Sequence, residues 1–148
     1  MNLRTSLPLV LLTTLCVLVS VSAAETSDGA ERAAIQKVVE DFAGGADARD
    51  VDRIGRSLHA ESRQYLPTSG GLRVFDREQY LGLISAGKIG GQQRKMTVRW
   101  VEVIEGYLAT VGVELRGGGM VFLHHFGLMK VDDTWQILSI LTLAGREE

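Results

Sequence analysis

Cysteine is nearly missing. Cys16 is the only one in 148 residues, and it falls in an N-terminal segment expected to be removed, so a mature domain would have no disulfide, no thiolate metal ligand and no thiol nucleophile. Histidine is scarce as well, with His59, His124 and His125 the only three. None of them stands in a His-Glu-x-x-His or comparable spacing, and adjacent strand residues point to opposite faces, so His124 and His125 cannot chelate one ion together. No metal and no cofactor are expected. Positive charge is not in excess: 16 basic against 18 acidic residues leave no basic footprint for nucleic acid. A phosphate-binding loop is lacking too. "GLISAGKI", residues 82–89, approaches G-x-x-x-x-G-K-[ST], but Ile89 stands where the magnesium-binding hydroxyl is required, and the segment leaves a helix where that loop enters one. Its glycines and Lys88 serve more simply to end the helix.

The one long apolar run is at the start. Met1 to Arg4 carry a positive charge, Leu7 to Val21 are apolar apart from a proline, a cysteine and hydroxyl residues, and Ala23-Ala24 offer small residues for cleavage. This pattern predicts a secretory signal over 1–24, with an exported domain, periplasmic or secreted, over 25–148. An anchor helix would need ~20 apolar residues, and Pro8 with the hydroxyls weakens that alternative. Removing residues 1–24 takes Arg4 and no acid, leaving 15 basic and 18 acidic side chains and a net charge of −3.

Asp28, with Glu31 three residues on, predicts the start of a helix whose apolar face is Ile35, Val38, Val39 and Phe42, ending at Gly44-Gly45. Asp50 caps a second helix with Val51, Ile54 and Leu58 on one face, reaching about His59. "RQYL" and "LRVF" read as short strands around a "TSGG" turn, and Asp76 with Gln79 opens a third helix through Tyr80, Leu81 and Ile84. Beyond Arg94 the period becomes alternating, with turns at Glu105-Gly106, at Gly117-Gly118-Gly119 and at Asp132-Asp133. Three helices followed by an antiparallel meander predict an α+β domain, a curved sheet wrapped over helices around one pocket.

Two-residue turns at those positions set a register. On that register the inner face carries Trp100, Glu102, Ile104, Tyr107, Ala109, Val111, Val113, Phe122, His124, Phe126, Leu128, Trp135, Ile137, Ser139 and Leu141. His125, Leu123, Leu108, Ile140 and Thr142 fall on the outer face, which is too apolar for a fully wetted surface and is expected to pair with a second copy. A bulged turn at the triple glycine would exchange the two histidines.

The pocket is expected to bind a small apolar or aromatic molecule, with Trp100, Tyr107, Val111, Phe126 and Trp135 as walls and His124 and Ser139 as polar contacts. Tyr65 and Tyr80 could add hydroxyls. In an alternative reading the chain is an enzyme, with His124 or Glu102 moving a proton beside a carbonyl; in a third it is a homodimeric association module. The bland reading of each residue is a satisfied core histidine, a solvated carboxylate and ordinary core aromatics.

Three stretches carry a resemblance. "VVEDFAGGADARDVDRIGRSLHAES" (38–62), "GGLRVFDREQYL" (70–81) and "FLHHFGLMKVDDTWQILSILTL" (122–143) resemble the Putative lumazine-binding family of the nuclear transport factor 2-like superfamily. The likeness lies in Phe42 and Gly45, Asp50, His59 and the Lys-Val-Asp-x-x-Trp-x-Ile hairpin at 130–137. It implies a cone-shaped α+β fold with one apolar pocket, often dimeric. It implies no particular reaction, because the superfamily includes isomerases, dehydratases, cyclases and binding modules. The chain departs from the family at His124, where Asp is common, and at Asp133, where Gly is common.

Overall fold

Ile35, Val39, Phe42, Ala43 and Ala46 recur at three- and four-residue intervals and are all buried along one stripe of the first helix. In the computed structural model, which describes the backbone of residues 13–147 and the side chains of 28–147, this helix, α1, spans Thr13–Ala48. The first half of the expected leader lies outside the described residues. Asp28 is therefore not a cap. It sits within a helix already under way and pairs with Arg32 one turn on, at 2.9 Å. Glu31, the other half of the expected cap, reaches across to the sheet: its carboxylate accepts from Lys130 Nζ at 2.6 Å and from Trp135 Nε1 at 2.5 Å.

Gly44-Gly45 does not end α1 either. A Cβ on Gly44 would stand 2.7 Å from the Arg53 guanidinium, and one on Gly45 would stand 2.8 Å from Ile54 Cγ1, so the pair exists to let the next helix approach. The chain turns instead at Arg49, with φ of 55°, where the Asp50 amide donates to Gly45 O at 2.8 Å. Asp50 then caps α2 (Val51–Ser57), its carboxylate accepting from the Arg53 amide.

The strands β1 (Leu58–Thr68) and β2 (Gly71–Asp76) form a hairpin that runs through Pro67. His59, expected at the end of α2, is the second residue of β1. Asp76 closes β2 and caps α3 (Arg77–Ser85) in a reciprocal capping box with Gln79. The helix ends on Gly87 at φ 68°, with Gly87 N donating to Ile84 O and Lys88 N to Leu83 O, each at 2.9 Å. This is a Schellman motif, and only glycine takes its left-handed position without strain. Arg49 straps the loop that follows, donating to the carbonyls of Gly87, Ile89 and Gly90 at 3.4, 3.4 and 3.0 Å.

The meander is β3 (Lys95–Ile104), β4 (Leu108–Gly117), β5 (Met120–Val131) and β6 (Thr134–Arg146). All six strands form one sheet in the order β2-β1-β6-β5-β4-β3, in which β1 and β6 are parallel and the other neighbours antiparallel. The expected α+β architecture, a curved sheet over three helices, is the one observed.

Only part of the register holds. The Asp132-Asp133 turn is the expected two-residue loop, pairing Lys130 with Trp135. The glycine turn is also a two-residue loop, but at Gly118-Gly119; it pairs Val113 with His124 and Val111 with Phe126. That is a slip of two residues, which preserves parity, so β4 and β5 keep their faces. The remaining turn has three residues: Tyr107 N bonds Ile104 O, and Ile104 pairs with Leu108. Two bulges then break the alternation. One leaves Arg99 as the extra residue of β3, and the other leaves Leu138 as the extra residue of β6.

These irregularities correct several placements. Val101 and Val103 turn inward, while Trp100, Ile104 and Tyr107 lie exposed on the other side. Trp100 lays its ring over Gly112, where a Cβ would stand 2.2 Å from it. Glu102 pairs with Thr110 on the outer face and is exposed. Past Leu138, Ile140 and Thr142 are buried, while Ser139 and Leu141 have moved to the outer face.

Candidate functional site

The inner face is divided into two parts. Under α1, Val111, Phe126 and Trp135 are at most 4% exposed; they are packed core. Toward the other end, α1, β1, β2, α3 and the ends of β5 and β6 enclose a cavity of about 510 Å³. Of the residues expected to line a pocket, Trp100, Tyr107 and Ser139 face away from it, and Val111, Phe126 and Trp135 are spent on the core. His124 does line it, and so does Tyr80. The outward-facing Tyr65 borders a groove on the opposite face. Among the described residues no three His, Cys, Asp or Glu side chains converge as metal ligands.

The cavity walls are apolar, built from Phe42, Leu66, Phe75, Leu83, Ile89 and Phe122. Phe42 stacks on Tyr80 with ring centroids 5.5 Å apart, and Phe122 lies parallel to His124 at 6.2 Å.

Polar groups gather on the floor. Gln64 Nε2 donates to Thr142 Oγ1 at 3.0 Å, and Thr142 Oγ1 lies 2.9 Å from His124 Nδ1. A hydroxyl oxygen can accept twice and donate once, so the bond between Thr142 and His124 fits either tautomer of the ring. Burial pulls the His124 imidazole down to about 3, and the nearby positive charge of Arg94 acts in the same direction, so the ring is neutral at physiological pH. Burial pushes the Tyr80 phenol up to about 12, with Arg94 opposing, so it remains a donor.

Arg94 enters the floor from the segment before β3. Its Nε bonds Asp47 Oδ1 at 2.6 Å, and its backbone amide bonds Oδ2 at 3.0 Å. The side chains are only 12% and 9% exposed. The guanidinium also sits 5.5 Å from the Phe122 ring centroid. Two buried polar atoms there have no partner among the described residues, Arg94 Nη2 and Gln64 Oε1. The floor therefore presents donors from Arg94 and Tyr80 and the neutral His124 ring beside one amide acceptor, in an otherwise apolar chamber. That arrangement suits a flat molecule with an oxygen-bearing edge.

Gln64, Thr142 and Arg94 were not apparent from the sequence. The alternation places Thr142 outward because it does not reveal the bulge at Leu138, "RQYL" gives Gln64 no distinguishing signal, and Arg94 marks only the end of a loop. The segment 82–89, rejected as a phosphate loop, supplies Leu83, Lys88 and Ile89 to the cavity.

No curated protein sequence matches the chain. Solved structures do. An NTF2-like protein of unknown function from Shewanella baltica aligns with a TM-score of 0.70 at 15% identity, over 77% of this chain and 93% of that one. One from Silicibacter pomeroyi aligns with a TM-score of 0.66 at 18% identity, over 74% and 92%. A ketosteroid isomerase-like protein from Erwinia carotovora atroseptica also gives 0.66, at 14% identity over 77% and 95%. At these identities the likeness is one of fold. Residues 30–141 match the family described as Putative lumazine-binding. The chain belongs to that family and carries the NTF2-like fold.

Proposed function

We propose that the protein binds a small planar molecule with an apolar body, edge-on to the floor of the 510 Å³ cavity. The observation that carries this reading is the pairing of apolar walls with the buried, unpartnered Arg94 Nη2 and Gln64 Oε1, groups whose desolvation a ligand would compensate. The match to a family described as Putative lumazine-binding supports it. Binding is favoured over proton transfer, because Glu102 is on the outer face and burial leaves the His124 ring a weak base. Calorimetric titration with 2-naphthamide, a flat apolar probe with a carbonyl edge, tests the reading. Saturable single-site binding is expected in the parent protein and should vanish in Leu83→Trp, which fills the cavity; no saturable binding, or binding untouched by Leu83→Trp, would overturn it.

A second reading, self-association, is favoured by the outer sheet face. Leu72, Trp100, Leu123, Leu141 and Leu143 are 44–64% exposed there, and several line an open apolar groove of about 380 Å³. A second copy covering this face would bury them. Export is also proposed, on the charged start and apolar run of residues 1–24; the mass of the mature protein from its host decides whether cleavage follows Ala23 or Ala24 or does not occur.

A further inference from the structure

The cavity is lined asymmetrically in charge. Arg73, Lys88 and Arg94 contribute to it, and among the described residues no Asp or Glu side chain does, although the chain as a whole has a net charge of −2. Arg94 is neutralised by Asp47. Arg73 and Lys88 are different: neither takes part in an ion pair among the described residues. Both are exposed, so they stand at the rim, where an unpaired cation stays hydrated at little cost. Asp76, the carboxylate of β2, is occupied with capping α3.

Their positions are built in. Arg73 pairs across the hairpin with Leu66 and projects on the cavity side, its guanidinium 5.6 Å from the centroid of Phe75, which stacks it against the wall. Lys88 is the third residue past the end of α3, fixed by the Schellman bond from its own amide to Leu83 O and flanked by the carbonyls that Arg49 holds.

We propose that the ligand is an anion: a flat body whose oxygen-bearing edge meets the floor and whose other end carries a carboxylate or similar small oxyanion, which Arg73 and Lys88 hold at the mouth. The inference rests on the binding reading above and specifies the ligand class. Two cations at the rim of a low-dielectric chamber also concentrate anions at its entrance in a protein that otherwise repels them.

The test compares 6-hydroxy-2-naphthoate with 6-hydroxy-2-naphthamide, which share a ring system with a hydroxyl for the floor and differ only in the charge of the opposite end. Titrations at low ionic strength use the parent chain and the double variant Arg73→Gln/Lys88→Gln. The parent should bind the carboxylate about fivefold or more tightly than the amide, a preference that two partly hydrated ion pairs supply. The double variant should lose that preference while keeping its affinity for the amide. Equal affinities, or tighter binding of the amide by the parent, overturn the anion inference and leave the binding reading standing. A preference that survives in the double variant overturns the assignment to Arg73 and Lys88. Failure of both probes to bind the parent removes the binding reading itself.

Discussion

Replacing Thr142 by valine should destabilise the fold more than replacing it by serine, even though valine is the closer match in shape. The Thr142 hydroxyl accepts from Gln64 and lies against His124 Nδ1 at 2.9 Å, with Thr142 and His124 only 5% and 6% exposed. Valine fills the same volume and deletes both hydrogen bonds. Each is worth ~1 kcal/mol net, and leaving a buried ring nitrogen unpaired costs ~1–3 kcal/mol, so the loss should be about 2–3 kcal/mol. Serine keeps the hydroxyl and loses a methyl group, costing about 1 kcal/mol. Urea unfolding separates the two, since with a slope of ~1–3 kcal/mol per M the valine variant should fall about 1–2 M below the parent midpoint. A valine midpoint at or above that of serine would refute the argument and reduce the floor network to packing.

The depressed His124 makes a pH-dependent contribution. Its folded pKa of about 3 lies below the ordinary 6.5, so the unfolded chain takes up the proton first; the stabilisation is complete above the unfolded value and is lost as the pH falls toward the folded one. Between pH 6.5 and 5 that loss is about 2 kcal/mol, and His124→Gln should flatten it; an equal slope in the variant would assign it elsewhere. The lowered Glu31, Asp41 and Glu114 carboxyls act at lower pH, outside this window. Asp47→Asn leaves the Arg94 cation buried without its counterion and should cost about 3–5 kcal/mol, most of it recovered by adding Arg94→Met; a loss under ~1 kcal/mol would mean that solvent already screens the pair. Leu123→Asp on the outer face should convert an associating protein to monomers by sedimentation equilibrium, and an unchanged profile would set the self-association reading aside.

The sequence made the elements legible wherever a local rule determined them. Asp50 and Asp76 each predict a helix start because a short carboxylate can reach its own third amide, and that geometry needs nothing from the rest of the chain. The α1 stripe from Ile35 to Phe42 and the faces of β4 and β5 follow from simple periodicity. What could not be read were the bulges at Arg99 and Leu138, because "VRWVEV" and "ILSILTL" alternate equally well in either frame. Each bulge reverses every face beyond it. The extra residue at Leu138 turns Ser139 and Leu141 outward and Ile140 and Thr142 inward, whereas Trp100 and Glu102 face outward because the turn at 105–107 has three residues where the sequence predicts two. Gly44-Gly45 misled for a different reason: a glycine that admits a neighbouring helix and a glycine that ends its own look alike until the neighbour is in place. His124 was found because its two-residue slip left parity intact.

The bulge at Leu138 also separates two tasks within one strand. Trp135 and Ile137, before it, belong to the packed core; Thr142 and Ala144, after it, belong to the cavity. Deleting Leu138 would join Ile137, paired with Leu128, to Ser139, paired with Gly127, and keep every downstream face; adding one residue after it would carry Ser139, Leu141 and Leu143 inward together and turn Ile140 and Thr142 outward. A single-codon insertion at that point would change the lining of the chamber as a block, a route to a new ligand that no single substitution along β6 provides.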